Sequence, residues 1–185
     1  RDLPNGRCPT HGAEPEVVEE ENYFFRLSAY QRQAEDLIAS GRLQIVPETR
    51  RNEALAFVRS GLRDYSISRI RDRSGGWGVP VPDDPSQILY VWFDALTNYL
   101  TGLGYGSDPN TFARYWSGSS HRVHVIGKDI LRFHAVYWPT MLLSAGLTLP
   151  TTLLVHGFLT VGGRKISKSL GHAPDPLPYI ERYGA

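Results

Sequence analysis

The residues best suited to phosphate chemistry lie near the end of the sequence, in the segment 162–171, which is rich in glycine, serine and lysine. Glycines and serines favour a loop that leaves backbone N–H groups free, and Lys165 and Lys168 add two compact positive charges. This combination suits the oxygens of a triphosphate. The segment is not a P-loop, because Gly-x-x-x-x-Gly-Lys-Ser/Thr is not matched anywhere. Taken alone, the segment fits a solvated basic turn as well.

Polar residues also follow three apolar segments that we predict to be strands. Asp94 and Asp129 come directly after two such segments, and His156 ends the third. Ligands of open α/β sheets bind beyond the carboxyl ends of the strands, so these residues are predicted to share one edge of one sheet. Each has a structural alternative, since the aspartates can be ordinary helix caps, Trp92 a core residue and His134 a satisfied helical histidine.

The elements that must position these residues alternate from about residue 65 onward. The predicted strands span residues 88–93, 122–127 and 153–156, with a further short strand over 158–161. Helices are predicted to start at Asp94 and Asp129, and Pro139 is predicted to kink or end the second. Nearly continuous apolar strands separated by helices are typical of buried parallel strands in an open α/β sheet.

The first fifty residues are loop-rich and have a different character. Ser28 and Gln31 have the spacing of a capping box ahead of a helix that stops at Gly41, and a second helix is predicted over about 52–60. Near the end of the chain, Asp175 is predicted to cap a last helix that begins with a proline.

Cys8 and His11 have the spacing of half a zinc knuckle. Zinc takes four ligands and the sequence has no second cysteine, so the pair alone predicts an unoccupied loop. One cysteine also excludes an internal disulfide framework and favours a reducing compartment.

The composition sets outer limits on the function. The chain has 185 residues, of which 41% are hydrophobic and 21% charged, which is the balance of a folded domain. A formal net charge of +1 provides no global field that would attract nucleic acid or a membrane. We expect a cytoplasmic protein without membrane spans. Because the chain begins at Arg1 and its only methionine is Met141, we also expect a piece of something larger.

These segments together resemble a known family. Residues 165–169, Lys-Ile-Ser-Lys-Ser, are similar to the Lys-Met-Ser-Lys-Ser signature of class I aminoacyl-tRNA synthetases. Further segments resemble the methionyl-tRNA synthetases in the same order, namely 22–27, 51–53, 66–69, 90–95, 126–130, 133–134 and 155–157. The resemblance covers essentially the whole chain. Several segments in the right order are more specific than any one motif.

The resemblance implies a role for individual residues. The methionine pocket is expected to consist of Trp92, Ala95, Tyr99, Ile130, Phe133 and His134. The ATP contacts are expected to be Gly127, Asp129, His156, Gly157, Val161, Lys165 and Lys168. Arg69, Asp129 and the two lysines are expected to lie near the reacting groups. Sulfur–aromatic contacts favour a thioether in such a pocket, and the Tyr99 hydroxyl and His134 can offer it a hydrogen bond.

The implied reaction joins L-methionine to ATP, with Mg²⁺, and then transfers the methionyl group to tRNA(Met). The implied architecture is the second half of a Rossmann-like α/β catalytic domain with a parallel sheet. Residues 1–50 would end a connective zinc-knuckle insertion, 51–161 would form the half-domain, and 162–185 the signature loop and the start of the next domain. Two further zinc ligands would lie upstream of Cys8.

The sequence departs from the family in one important respect. The first signature, of the His-x-Gly-His type, is absent, so we expect the isolated chain to be inactive and to need the remaining N- and C-terminal parts of the synthetase. Two alternatives stay open. One is a degenerate, non-catalytic module that binds tRNA or a partner, and the other is a synthetase for another apolar amino acid or a related nucleotidyltransferase.

Overall fold

The fold is described from a computed structural model of the chain. It describes residues 6–8, 13–16, 19–158, 160–166, 175 and 177–184, without the side chains of residues 74, 164 and 165. The chain divides into two compact units, one made of Arg1–Phe25 with Tyr65–Ala95 and the other of Arg26–Asp64 with Leu96–Ala185. No helix in the described ranges is long and apolar enough to cross a membrane.

The strands of the described part are short. They are β1 (Phe24–Phe25), β2 (Gln44–Val46), β3 (Tyr65–Ser66), β4 (Ser68–Ile70), β5 (Pro80–Val81), β6 (Asp84–Leu89), β7 (Val123–Gly127), β8 (Thr152–His156), β9 (Thr160–Val161) and β10 (Arg164–Lys165). The α-helices are α1 (Gln31–Ala39), α2 (Glu48–Arg59), α3 (Val91–Thr101), α4 (Pro109–Phe112), α5 (Trp138–Ser144) and α6 (Leu177–Tyr183).

The first unit contains antiparallel pairings. β1 pairs with β3, and β6 lies between β4 and β5 in a three-stranded sheet. Buried Ser68 and Gln87 join the strands β4 and β6 by a 2.5 Å hydrogen bond between their side chains. Ser68 Oγ also accepts the Tyr23 N–H at 2.8 Å, and the Gln87 amide donates to the Glu21 carbonyl. The buried polar pair is therefore satisfied and attaches the segment before β1 to this sheet.

The second unit is built on a parallel sheet in the order β2-β8-β7. Ile45, Leu153 and His124 lie side by side across the three strands and are all buried. The next row, Val46, Leu154 and Val125, is exposed. The predicted parallel α/β sheet is thus confirmed for the strands β7 and β8. We also predicted that these strands are buried on both faces, and this is wrong within the chain, because one face of the sheet is exposed.

Helices α1 and α2 pack against each other in the second unit. Gln31 donates to the Val58 carbonyl at 2.8 Å and accepts the Leu62 N–H at 2.8 Å. The Arg51 guanidinium donates to the last carbonyls of α1, at 2.9 Å to Ala39. A cation at a helix C-terminus satisfies these carbonyls and complements the helix dipole.

The predicted strand over residues 88–93 is wrong in its extent and its pairing. β6 ends at Leu89, and α3 begins at Val91, so Trp92 is helical. β6 also runs antiparallel to its neighbours. Asp94 lies in the first turn of α3, where its N–H donates to the Tyr90 carbonyl at 3.1 Å, and is therefore not the N-cap. A six-residue apolar run does not distinguish a strand from the start of a buried helix.

The predicted capping box is also wrong. A 3₁₀ turn, Leu27–Tyr30, precedes α1, and the Ser28 N–H donates to the Asp64 carboxylate at 3.0 Å. Gln31 instead bonds to the residues around the end of α2. The second predicted helix exists, although α2 starts at Glu48, earlier than expected.

The helical segment after β7 continues through Pro139. It comprises a 3₁₀ turn, Lys128–Ile130, a π turn, Phe133–Tyr137, and then α5. Asp129 lies inside the 3₁₀ turn, whose N-cap is Gly127. The predicted cap at Asp129 is therefore wrong, and of the two alternatives predicted for Pro139, a kink or a helix end, the helix end is wrong. The π turn ends two residues before Pro139. Both π turns and prolines are irregularities that a continuing helix can accommodate.

The end of the chain is described in part. β9 and β10 form an antiparallel hairpin around Gly162 and Gly163. Asp175 accepts the Leu177 N–H at 3.0 Å, which confirms the predicted cap of the last helix. Leu159 and Pro176 lie outside the described residues.

Candidate active site

The carboxyl ends of β7 and β8 meet at one edge of the parallel sheet. Gly127 ends β7, His156 ends β8, and the two residues are partners in the parallel register. Asp129 follows two residues after Gly127, in the 3₁₀ turn. We call Gly127, Asp129 and His156 the strand-end site, because it stands where ligands bind in open α/β sheets.

The glycine of the strand-end site leaves room for the carboxylate. A β-carbon on Gly127 would lie 2.7 Å from Asp129 Oδ1 and 3.8 Å from His156 Cε1. The φ angle of Gly127 is −72°, which any residue can adopt. Glycine is therefore required here for space rather than for backbone conformation, and it allows the carboxylate to lie over the end of β7.

The residues around the strand-end site are exposed or half-buried. His156 Nδ1 donates to the Gly157 carbonyl at 2.6 Å, which leaves Nε2 as an acceptor in the neutral ring. Lys128 Nζ lies 4.6 Å from the centroid of the Phe158 ring, a cation–π contact. Val161 is exposed on β9, where Lys165 of β10 pairs with Thr160. Lys168 and the rest of the signature loop, residues 167–174, lie outside the described residues.

A second constellation joins α3 to the helical segment after β7. The Tyr99 hydroxyl and His134 Nε2 are 2.8 Å apart, and His134 Nδ1 is 3.0 Å from the Ile130 carbonyl. Because a carbonyl only accepts, Nδ1 carries the proton, and in a neutral ring Nε2 accepts from the Tyr99 hydroxyl. Both donors of the pair are committed in this geometry. Phe133, next to His134, contacts the Tyr137 ring edge-on, with the ring centroids 5.3 Å apart.

Burial keeps the Tyr99–His134 pair uncharged at neutral pH. His134 is 2% exposed, and its burial lowers the pKa of the imidazole, against a smaller opposing effect of the Ile130 hydrogen bond. Burial also raises the pKa of the Tyr99 phenol. A neutral phenol and a neutral imidazole form a polar but uncharged surface, which suits an uncharged amino-acid side chain.

Three further rings pack around this pair, and the sequence reasoning did not identify them. The His124 and Tyr99 ring centroids are 4.2 Å apart, and His124 Nε2 accepts the Trp138 indole N–H at 3.3 Å. The Trp116 centroid lies 6.3 Å from that of His124. We call Tyr99, Trp116, His124, His134 and Trp138 the ring cluster. A histidine within the apolar Val-His-Val-Ile run of β7 was the available signal.

A cavity of about 520 Å³ adjoins the ring cluster. It is lined in part by Tyr99, Trp116 and His124, together with Asn98 and Arg122. Arg122 uses its guanidinium to donate to backbone carbonyls, including that of Leu149 at 2.6 Å. The Arg122 side chain is therefore engaged with the fold, and the rings form part of the cavity wall together with Leu103, Val123 and Val125.

The remaining predicted site residues belong to the first unit. Arg69 lies on β4, with its guanidinium 4.4 Å from the Tyr90 ring centroid and 2.7 Å from Ser66 Oγ. Trp92 and Ala95 are half-buried residues in the first half of α3. A shared methionine pocket made of these two residues and the Tyr99–His134 pair remains a prediction.

The described residues do not complete a metal site. No group of three or more His, Cys, Asp or Glu side chains is arranged to hold an ion in the ranges that the structure describes. Cys8 is half-buried and its N–H donates to the Ala13 carbonyl at 2.8 Å, while His11 lies outside the described residues. The described part of the chain thus offers one of the four ligands that structural zinc takes, so zinc does not fit this part alone.

The parallel sheet and the strand-end site are typical of an α/β protein that binds its ligand at the carboxyl ends of the strands. Comparison with known families is consistent with this class. The family model described as "tRNA synthetases class I (M)" matches residues 1–185, so the chain belongs to the class I tRNA synthetases of this family.

Two relatives of the chain are methionine–tRNA ligases. The chain is 52% identical to a methionine–tRNA ligase of a Nostoc species over 188 residues, which cover 99% of this chain and 34% of the relative. It is 53% identical to the methionine–tRNA ligase of Brucella suis over 178 residues, covering 96% of this chain and 33% of the relative. The chain therefore spans about a third of the length of these curated relatives.

Solved structures show the same likeness. Mycobacterium tuberculosis methionyl-tRNA synthetase bound by methionyl-adenylate is similar with a TM-score of 0.81 and 49% sequence identity, over 96% of this chain and 34% of that chain. The free form of the same enzyme matches with a TM-score of 0.77 and 46% identity, over 96% of this chain and 33% of that chain.

Proposed function

We propose that the chain is the second half of the catalytic core of a methionine–tRNA ligase that activates L-methionine with ATP and charges tRNA(Met). The single observation that supports this most strongly is the family match over residues 1–185. The geometry of the strand-end site agrees with it, because a carboxylate and an acceptor imidazole lie together at the carboxyl ends of two parallel strands. We place its work in translation, in the cytoplasm.

The proposed architecture follows the division made from the sequence. Residues 1–50 are proposed to form the end of a connective insertion whose strand β2 joins the parallel sheet of the half-domain. Residues 51–161 are proposed to form the second half of the Rossmann-like domain, and 162–185 the signature loop and the start of the next domain. The rest of the nucleotide-binding fold comes from the N-terminal part of the synthetase, and the tRNA-binding parts from the remainder.

The strand-end site is assigned to ATP. Asp129 is an acceptor-only group held over Gly127, so it suits the hydroxyls of a ribose. Gly127, Gly157 and Val161 line the approach of the nucleoside, and His156 Nε2 can accept a donor from it. Lys165 and Lys168 neutralise the triphosphate, and Arg69 serves near the reacting groups.

The Tyr99–His134 pair is assigned to the methionine side chain. Aromatic faces stabilise a polarizable thioether, and the uncharged pair leaves no buried charge to oppose an apolar ligand. Because the Tyr99 proton is committed to His134 in this geometry, the direct hydrogen bond from this pair to sulfur expected from the sequence requires the pair to exchange partners. Trp92, Ala95, Ile130 and Phe133 complete the proposed pocket.

The chemistry proposed for this site needs no nucleophilic side chain. The methionine carboxylate attacks the α-phosphorus of ATP, the bond to the β-phosphate oxygen breaks, and pyrophosphate leaves. The methionyl group then passes from the adenylate to a hydroxyl of the terminal ribose of tRNA, releasing AMP. Phosphoryl-group chemistry of this kind depends on positioning and charge neutralisation. Asp129 is proposed to position the nucleotide, and the lysines are proposed to neutralise its charge.

Mg²⁺ would arrive with ATP, since this ion binds readily through phosphate oxygens and retained waters rather than a protein cage. Zinc is assigned no step. Cys8 and His11 are proposed to supply half of a structural site whose other ligands lie in the N-terminal part.

Methionine-dependent exchange of pyrophosphate into ATP tests the proposal. The full-length synthetase that contains this sequence should catalyse exchange with methionine and should charge tRNA(Met), and the 185-residue chain in matched amounts should do neither. Exchange by the full-length enzyme with another apolar amino acid in preference to methionine would reject the specificity. Absence of any exchange would instead support a non-catalytic module.

A further inference from the structure

We propose that His124 is a positioning residue that fixes the ring of Tyr99 and thereby sets the selectivity for the methionine side chain. The inference rests on the proposed methionine activation and extends it to a residue of β7 outside the predicted pocket. It depends on contacts made entirely within the second unit.

His124 is immobilised by its own surroundings. It lies on β7 beside the buried Leu153 of β8, is 6% exposed, and its Nε2 accepts the indole N–H of Trp138 at 3.3 Å. Trp138 in turn is 1% exposed at the start of α5. A buried ring that is tied to a strand by its backbone and to a helix by a hydrogen bond has little freedom to rotate.

This fixed ring forms one wall for Tyr99. The centroids of His124 and Tyr99 are 4.2 Å apart with an interplanar angle of 56°, the shortest separation among the ring contacts of Tyr99 described here. The other end of Tyr99 is held by its hydroxyl, which donates to His134 Nε2 at 2.8 Å. One histidine thus holds the ring and the other holds the hydroxyl.

The position calls for an imidazole in particular. Phenylalanine would keep a ring beside Tyr99 but would leave the buried Trp138 N–H without an acceptor. Glutamine could accept that N–H but would present no ring face. An unpaired buried donor costs about 1–3 kcal/mol, so the acceptor is significant for the fold as well. Histidine in its neutral form combines both properties, and burial together with the nearby His134 lowers the pKa of His124 to about 4.

Selectivity between methionine and an aliphatic analogue is sensitive to such positioning. A hydrophobic pocket separates side chains that differ by one group only by about 10- to 200-fold. That preference therefore depends on the exact positions of the aromatic side chains that line the pocket. A displacement of such a ring by about 1 Å is expected to remove most of the preference. Loss of the wall behind Tyr99 is expected to affect the recognition of the amino acid and to leave ATP recognition unchanged.

The experiment measures pyrophosphate exchange by the full-length enzyme as a function of methionine, norleucine and ATP. His124→Gln should raise the KM for methionine by about tenfold and reduce the preference for methionine over norleucine, with the KM for ATP unchanged. In a Tyr99→Ala background the same substitution should change the methionine KM no further, because His124 acts through Tyr99. Ile126→Val, a buried change two residues along the same face of β7, is the matched control and should leave both KM values unchanged.

A second pair of variants tests the hydrogen bond. His124→Phe alone leaves the Trp138 N–H unpaired, whereas the double variant His124→Phe with Trp138→Phe keeps both rings and removes donor and acceptor together. The double variant should recover most of the methionine preference that His124→Phe loses. If thermal unfolding shows that His124→Gln is too unstable to assay, these two variants test whether His124 positions Tyr99.

Several outcomes overturn the inference. An unchanged methionine KM in His124→Gln rejects it, as does a full additional effect in the Tyr99→Ala background, since either result means that His124 does not act through Tyr99. No recovery in the double phenylalanine variant rejects the role of Trp138. A wild-type enzyme without methionine-dependent exchange rejects the proposed function itself, a result distinguishable from all of these.

Discussion

Asp129 Oδ1 lies 2.7 Å from the point that a β-carbon on Gly127 would occupy. Real β-carbons do not approach an oxygen so closely, so any side chain at position 127 must move the carboxylate or the strand end. The glycine therefore acts by leaving space, and the geometry of the proposed ribose contact depends on a residue that contributes no functional group.

Gly127→Ala in the full-length enzyme should raise the KM for ATP at least about tenfold, because the added methyl displaces Asp129 from the strand end. Thermal unfolding should also show a loss of stability. In an Asp129→Ala background, where the clashing carboxylate is gone, the same substitution should cost much less stability. An equal loss in both backgrounds would show that the methyl collides with something else.

The stability of the fold should depend on pH through His124. Its pKa is about 4 in the folded protein against an ordinary value of 6.5, mainly because of burial and further because of electrostatic repulsion between His124 and His134 when both are protonated. As the pH falls, the unfolded chain takes up this proton first, so the contribution is intact above about pH 6.5 and is lost progressively towards pH 4. The full loss amounts to about 3 kcal/mol, and about 2 kcal/mol of it should be gone at pH 5.

Denaturant unfolding of wild type and His124→Gln at about pH 7.5 and about pH 5 measures this effect. The stability difference between the two proteins should shift by about 2 kcal/mol against wild type at the lower pH. His134, whose pKa burial also lowers, is present in both proteins and acts with the same sign, so only its coupling to His124 enters the difference. Asp64, Asp84 and Asp108 have pKa values below 3.8 and act only at more acidic pH. A constant difference would contradict the neutral, buried state of His124.

The parts of the fold that local patterns determine could be predicted from the sequence. β7 and β8 are short, mainly apolar strands that end in a glycine and a histidine, and the two pair in parallel as expected. The start of α3 could not be predicted, because Val91 and Trp92 are strand-forming residues whose helical state depends on the burial of Leu96 and Leu100 further along. The six-residue run alone could not distinguish a strand from a helix, and contacts with distant residues determine the conformation.

The candidate site shows the same division. Asp129 could be selected from its place after a strand, yet the reason for Gly127 is visible only when the carboxylate is seen beside it. His124 was missed because a histidine in an apolar strand gives no spacing signal, and its partner Trp138 is fourteen residues away on another element. Hydrogen bonds between distant elements leave no local pattern in a sequence.

Zinc content should depend on the N-terminal part of the synthetase. The 185-residue chain should bind no stoichiometric zinc, since Cys8 and His11 offer only two of the four ligands required. An N-terminal extension of the natural sequence that carries two more cysteines should bind one ion. Elemental analysis of both proteins, with Cys8→Ser in the longer one as the control, makes the test. Equal zinc in the two proteins, or full zinc in the Cys8→Ser variant, would contradict the half-site.

Lys168→Ala in the full-length enzyme should slow adenylate formation and leave methionine recognition intact. The lysine is proposed to neutralise charge that develops on the α-phosphorus oxygens and on the departing pyrophosphate, an interaction made mainly in the transition state. Removing one such contact typically costs roughly 10²–10³ in kcat, and kcat/KM should fall in parallel. Tyr99→Phe is the contrasting variant, because it changes only the amino-acid pocket and should act chiefly on the methionine KM. Pyrophosphate-exchange kinetics with each substrate varied in turn separate the two effects. If Lys168→Ala raised the methionine KM with kcat unchanged, while Tyr99→Phe lowered kcat alone, the two parts of the site would have been assigned the wrong way round.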